Sequence, residues 1–116
     1  MEFNQYNTTV QQWIHTVLEN RETNADVVLE CCRDIIAYGR ETDDPKLMGF
    51  GFFYGGEIYY ELNDGAHFFH MMTEALTYLD RAEEWELVVR CYNFLGIASM
   101  SRGNPSLALD YYMNGL

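Results

Sequence analysis

Apolar residues recur along most of the chain at the three- and four-residue spacing of an amphipathic helix. The first such run consists of Tyr6, Val10, Trp13, Ile14, Val17 and Leu18. This spacing places the side chains on one face of a helix, whereas a half-buried strand alternates every second residue. No stretch of alternating residues competes with the helical pattern. The sequence therefore predicts an all-α chain.

Clusters of turn-forming residues divide this pattern into pieces of similar length. The clusters lie at residues 20–24, 42–45, 62–65, 82–86 and 101–105. Two of them place a capping side chain before a proline, with Asp44 before Pro45 and Asn104 before Pro105. Proline suits the first turn of a helix, and short connections of this kind join antiparallel neighbours. We expect about six antiparallel helices, of which the last is cut short.

Two landmarks repeat along the chain at the same interval. Gly56 and Gly96 are 40 residues apart, and so are Leu76 and Leu116. A glycine inside a helix lets a neighbouring helix approach closely, and a fixed period of this length is typical of stacked helix pairs. We expect a single domain over residues 1–116, with a degenerate repeat at about 5–40, a repeat at about 46–80 and an incomplete repeat at about 87–116.

The last of these repeats resembles the tetratricopeptide repeat. The residues that match the family's Trp-x-x-Leu-Gly and Ala-x-x-x-Phe pattern are Tyr92, Leu95, Gly96, Ala108 and Tyr112. The 40-residue spacing exceeds the family's usual length of about 34 residues. The resemblance implies a right-handed α-solenoid of antiparallel helix pairs. It also implies the N-terminal sensory or interaction region of a multidomain bacterial signalling protein, such as a diguanylate cyclase or a transcriptional regulator.

In this family the first helix of each pair lines a concave groove, which implies a partner-binding surface here. By register, the groove residues in this sequence are Phe50, Phe53, Tyr54, Glu57, Tyr60, Glu61, Arg90, Asn93, Ile97 and Met100, together with Phe94 and Ser101. The aromatic and acidic side chains among them suit a protein or peptide with basic and apolar character. The alternative is that the aromatic residues form core and the acids a solvated face.

The charge balance narrows the class of partner. Eighteen acidic and seven basic residues among 116 give a formal net charge of -11. A field of this sign repels nucleic acid and anionic lipid, so we expect neither as a partner. The first twenty residues lack the pattern of a secretory leader, and no apolar run is long enough to span a bilayer. The three cysteines, of which Cys31 and Cys32 are adjacent, suit a reducing compartment, so we expect a cytoplasmic protein.

The sequence carries no enzyme signature. It contains neither Gly-x-Ser-x-Gly nor a glycine-rich phosphate loop, so we expect no catalysis and no cofactor in this segment, although a catalytic domain could follow it. His67, His70 and Glu74 share one side of a predicted helix. Their spacing matches no familiar zinc motif and no fourth ligand is evident, so we expect no metal site.

These observations favour a protein or peptide interaction module, forming the regulatory N-terminal part of a larger cytoplasmic signalling protein. The short last helix leads us to expect that the chain continues beyond Leu116. One alternative is a homodimerisation module, in which exposed aromatic residues or the open C-terminal helix pair with a second copy. Another is a small-molecule sensor that uses the aromatic groove.

The repeat register makes a first prediction at Gly96. Replacement by leucine, Gly96→Leu, is expected to destabilise the protein by several kcal/mol, because a large side chain would overpack the contact between two helices. The measurement is the melting temperature by circular dichroism. An unchanged melting temperature would show that the register is wrong.

Overall fold

A computed structural model describes residues 1–101 and 103–114, without the side chains of Ser101, Pro105, Ser106, Ala108, Leu109 and Tyr112. Within these residues every regular element of secondary structure is a helix, which confirms the predicted all-α class. The helices in chain order are α1 (Thr8–Asn20), α2 (Ala25–Glu41), α3 (Pro45–Glu61), α4 (Gly65–Arg81), α5 (Trp85–Ser101) and α6 (Pro105–Asn114). The side chains of Ala108 and Tyr112, and Leu116 as a whole, are landmarks of the sequence that lie outside this description.

From α2 onward the helices begin at a constant interval of 20 residues. Their first residues are Ala25, Pro45, Gly65, Trp85 and Pro105, and each of α2 to α5 is 17 residues long. The three-residue turn before each of the last four helices contains one residue in the left-handed backbone region. These residues are Asp43, Asn63, Glu83 and Gly103, with φ between 52 and 74°.

The same hydrogen bond closes each of these four turns. The amide of Asp44 donates to the carbonyl of Gly39 at 2.8 Å, and the amide of Glu84 donates to that of Leu79 at 2.9 Å. Equivalent bonds follow Asn63 and Gly103. A left-handed residue with this bond is the Schellman motif, which satisfies carbonyls at the end of one helix and fixes the direction of the next.

Side chains then cap the start of most helices. The side chain of Asp44 accepts a hydrogen bond from the backbone amide of Leu47 at 3.1 Å. Asn24, Asp64 and Asn104 each accept the same bond from the amide three residues later, in α2, α4 and α6. Each bond satisfies an amide that has no partner within its helix. The amide of His67, which donates to Asp64, holds the pKa of that carboxyl below its usual range.

The third helix lies at the centre of the fold. Every residue from Leu47 to Ile58 is buried, and α3 packs extensively on both α2 and α4. A helix that is apolar on all sides must be enclosed on all sides. The outer helices α1, α2 and α4 have one apolar face each, and they complete the core with residues such as Val17, Ile35 and Leu79.

Glycines let the neighbouring helices approach α3 closely. A Cβ atom added at Gly51 would lie 2.6 Å from Cγ1 of Ile36 and 3.0 Å from the carbonyl oxygen of Cys32, both in α2. One added at Gly49 would lie 2.6 Å from Cδ2 of Leu79 in α4. Glycine lowers helix stability by about 1 kcal/mol relative to alanine, and the close packing offsets this penalty.

Gly51 and Gly55 form a matched pair for testing this packing. Gly51→Ala is expected to lower the free energy of unfolding by about 1–2 kcal/mol, because its methyl group meets the α2 backbone. Gly55→Ala meets only the terminal methyl group of Met71, at 2.5 Å, which can move aside. It is expected to leave stability within about 0.5 kcal/mol of the wild type or to raise it.

Urea unfolding followed by circular dichroism measures both variants. A Gly51→Ala protein as stable as Gly55→Ala would contradict the close approach of α2 and α3.

Candidate partner-binding groove

Three neighbouring hollows lie along one surface of the protein. The first, of about 550 Å³, shares Phe94 with the second, of about 230 Å³. The second shares Arg90 with the third, of about 180 Å³. We call these three hollows the groove.

Alternate helices provide most of the groove's lining. The lining residues from α1, α3 and α5 are Leu18, Phe50, Tyr54, Glu57, Ile58, Glu61, Glu86, Leu87, Arg90, Asn93, Phe94 and Ile97. The turn between α1 and α2 adds Arg21 to Asn24 at the large end. Met1 and Phe3 add to the small end. The groove therefore lies between helices that are not consecutive in the chain.

A cluster of three charged side chains lies in the groove. Arg21 donates from Nε and Nη2 to the two carboxylate oxygens of Glu57, at 2.8 and 2.7 Å. Arg90 donates from Nη2 to Oε2 of the same carboxylate at 3.4 Å. The Glu57 side chain is only 11% exposed, whereas those of Arg21 and Arg90 are 28% and 36% exposed. The buried carboxylate thus has a bidentate partner on one side and a second cation on the other.

This cluster connects three helices. Glu57 belongs to α3, Arg90 belongs to α5, and Arg21 directly follows the end of α1. A bidentate guanidinium–carboxylate pair has a fixed geometry and is stronger than a neutral hydrogen bond. We infer that the cluster sets the spacing of α1, α3 and α5 along the groove.

Both arginines also cover aromatic rings. The guanidinium carbon of Arg21 is 5.1 Å from the centre of the Tyr54 ring, and that of Arg90 is 4.8 Å from the centre of the Phe53 ring. A cation over a ring face is attracted by the electron density of the ring. The rings therefore hold the guanidinium groups in place against the Glu57 carboxylate.

The structure distributes the sequence-predicted groove residues over three environments. Phe50, Phe53, Tyr54 and Glu57 are buried. Tyr60 and Arg90 are half-buried, and Tyr60 packs against Phe68 and Phe94. Those that are exposed are Glu61, Asn93, Ile97 and Met100.

Two further observations concern the ends of this predicted set. Tyr60 and Glu61 also line a separate hollow of about 480 Å³, beside Phe68 and Phe69. The side chain of Ser101 lies outside the described part of the chain. Among the described residues, then, the exposed part of the set lies mostly on α5.

Several groove residues were missed in the sequence. Arg21 stands 40 residues before Glu61, so extending the groove register by one period would have found it. Leu18 belongs to the same neglected first repeat. No periodic signal points to Phe3 or Glu84, which lie outside the helices, or to Glu86, which is the second residue of α5.

The remaining chemically reactive side chains, which are cysteines and histidines, are buried or contact other side chains of the protein. Burial raises the pKa of Cys91 to about 12 and raises that of Cys32 as well, so both thiols stay protonated near neutral pH. The ring of His67 stacks on Tyr59 and its Nδ1 lies 2.7 Å from Asp64, while the His70 ring contacts the edge of Phe52. In residues 1–101 and 103–114 no three metal-ligating side chains come together.

Comparison with protein-family models, with curated proteins and with solved structures gives no match for this chain. Within the part of the chain that is described, no helix combines the length and the apolar character that crossing a bilayer requires.

The charged cluster predicts that two glutamates of α3 differ in their contribution to the free energy of unfolding. Glu57→Gln is expected to lower the free energy of unfolding by about 2 kcal/mol, because it removes the charge that two arginines share and turns an amide NH₂ group toward their donors. Glu61→Gln removes the same charge one turn later from an exposed side chain. It is expected to change stability by less than about 0.5 kcal/mol.

Chemical denaturation at low and high salt measures both variants. Equal stabilities for the two would contradict a structural role for the Arg21–Glu57–Arg90 cluster.

Proposed function

We propose that the chain is a helical-repeat interaction module that binds a protein or peptide segment in the groove. The observation that carries the proposal is the groove itself, which α5 lines along its whole length, α3 lines at both ends and α1 lines through Leu18 at the small end. A surface built from several rigid helices holds its side chains in a fixed arrangement, which lowers the entropy cost of binding.

The proposed architecture is a right-handed α-solenoid of the tetratricopeptide type, with α1–α2, α3–α4 and α5–α6 as the stacked pairs. The constant 20-residue interval between helix starts supports it, since two such intervals make one 40-residue pair. The extensive packing of each helix on the next one in the chain supports it too, because repeats in a solenoid contact chiefly their neighbours.

The charges around the groove favour a basic partner. Besides Glu57, four acids line it, namely Glu22 and Glu61 at the large end and Glu84 and Glu86 at the small end. Both lining arginines are engaged by Glu57, so they do not offset these four carboxylates fully. Complementary charge of this kind speeds association and selects partners by sign.

Apolar side chains supply the remaining recognition surface. Leu18 and Ile97 are each 42% exposed and face the groove from α1 and α5. Phe94 lines both the first and the second hollow and is half-buried. A partner segment with both Lys or Arg and apolar residues would match the groove in charge and in contact area.

Selection from a displayed library of random peptides tests this proposal. Peptides enriched on the protein are expected to combine basic and apolar residues. Binding is then measured by fluorescence anisotropy to a double variant, Glu22→Lys with Glu61→Lys. Its dissociation constant is expected to rise by at least about tenfold, because two acids of the groove become bases.

The matched control changes the net charge by the same amount elsewhere. Glu30→Lys with Glu41→Lys alters two exposed residues of α2 and is expected to leave the dissociation constant within about threefold of the wild type. Equal losses for the two double variants would place binding outside the groove. A peptide-free dimer that buries the groove in light scattering and footprinting would favour homodimerisation instead.

A further inference from the structure

The first residues of the chain form part of the groove. Residues 1–7 precede α1 and are not helical. Met1 and Phe3 line the smallest hollow of the groove together with Leu18 of α1 and Leu87 of α5. This end of the groove retains about 180 Å³, against about 550 Å³ at the other end.

Phe3 is the side chain that enters this end. Its ring meets the ring of Phe50 edge to face, with 5.2 Å between the centres, and Phe50 in turn packs on Tyr54 at 4.6 Å. The ammonium group of Lys46 lies 5.0 Å from the centre of the Phe3 ring. Lys46 also donates a hydrogen bond to the backbone carbonyl of Glu2. The groove therefore recognises the segment through one aromatic ring, that of Phe3, and one backbone carbonyl, that of Glu2.

A second contact holds the segment at the start of α3. The hydroxyl of Tyr6 donates to Oδ2 of Asp44 at 2.8 Å, while Oδ1 of the same carboxylate caps α3. Burial and the bond to Asp44 raise the pKa of Tyr6, so its hydroxyl remains a donor at neutral pH. Gln11 donates to the carbonyl of Tyr6 at 2.6 Å and closes the segment onto α1.

These contacts are weak enough to be exchanged. An exposed cation–π contact and an edge-to-face ring pair each contribute little beyond the apolar area that they bury. Phe3 is only half-buried and Met1 is 40% exposed. Because the segment belongs to the same chain, its contacts form at a high effective concentration, which adds to their hold on the groove.

The segment brings a further carboxylate to this end of the groove. Glu2 lies between Met1 and Phe3, the two residues of the segment that line the hollow, and Glu84 and Glu86 line the hollow as well. The nearby bases are already occupied, since Arg90 pairs with Glu57 and Lys46 contacts Phe3 and the Glu2 carbonyl. A segment with a basic residue in place of Glu2 would bring the opposite charge to Glu84 and Glu86.

We propose that this end of the groove is a subsite for one aromatic side chain of an extended partner segment, and that residues 1–6 occupy it as an internal ligand which the partner displaces. The inference rests on the function proposed above and names the chemistry of its partner. An extended segment with a phenylalanine beside a lysine or arginine has the ring and the charge that this end of the groove selects.

Synthetic peptides copying residues 1–7 test the subsite in trans. The protein variant Phe3→Ala vacates it, and Asn4→Ala is the matched control within the same segment. By fluorescence anisotropy, an acetylated peptide with the native sequence is expected to bind Phe3→Ala at least about tenfold more tightly than it binds the wild type or Asn4→Ala, because the internal ligand no longer competes.

Two altered peptides define the chemistry. The peptide carrying Phe3→Ala is expected not to bind, and the peptide carrying Glu2→Lys is expected to bind about threefold or more tightly than the native sequence. Equal binding of the native peptide to Phe3→Ala and to the wild type would overturn the proposal. So would no binding to a Phe3→Ala protein that melts like the wild type, because the segment would then be structural only.

A second variant serves if Phe3→Ala does not fold. Tyr6→Phe removes only the hydroxyl that bonds Asp44, and it is expected to bind the native peptide more tightly than the wild type does. No gain in affinity for the native peptide in Tyr6→Phe would overturn the proposal.

If library peptides bind the wild type and Phe3→Ala equally, the subsite fails while the proposed function stands. If the native peptide binds Phe3→Ala and no library peptide is enriched, the subsite stands and the broader function fails.

Discussion

The enclosure of α3 is the constraint on which the rest of the structure depends. This helix is buried on all its faces from Leu47 to Ile58, so several neighbours must cover it, and two glycines let α2 and α4 lie against its backbone. Close approach places rows of side chains into one another and fixes the angle at which helices cross. Once α2 and α4 are placed in this way, α1 and α5 can reach α3 only along the remaining face, which is the face that carries Glu57.

On that face of α3, charged side chains connect the helices in place of close backbone packing. The Arg21–Glu57–Arg90 cluster joins three helices whose main packing partners lie elsewhere in the chain. Burying the Glu57 carboxylate would be unfavourable alone, but two guanidinium groups and the rings beneath them compensate. The same arrangement directs both arginines of the groove toward Glu57, and the other charged residues of its lining are Glu22, Glu61, Glu84 and Glu86.

The helices and their boundaries could be predicted from the sequence because their signals are local. Apolar spacing gives the helices, and Asp44 before Pro45 marks a start that the structure places at that proline. Asn63 and Gly103 are residue types that favour the left-handed backbone. Glu83 is not, and its place in the turn follows only from the regularity of the other turns.

The groove could be predicted only in part, because burial depends on contacts between distant segments. Register alone indicated Glu57 and Arg90 as groove residues. Nothing in the sequence shows that Arg21 pairs with Glu57, which lies 36 residues further along the chain. Phe50 and Phe53 share a helix face with Glu57, and only the packing of the whole chain shows that both rings are buried. The contact between Phe3 and Phe50 joins a non-helical segment to the core, and no periodic pattern reports such a contact.

The constant length of the turns has a consequence for how such a chain can change. One extra residue in any turn would rotate the next helix by about 100° about its axis and would move its apolar face away from the core. Single-residue insertions and deletions are therefore poorly tolerated between α2 and α6. Duplication or loss of a whole 40-residue pair preserves every phase relation, so lengthening by complete modules is the route of variation that this geometry leaves open.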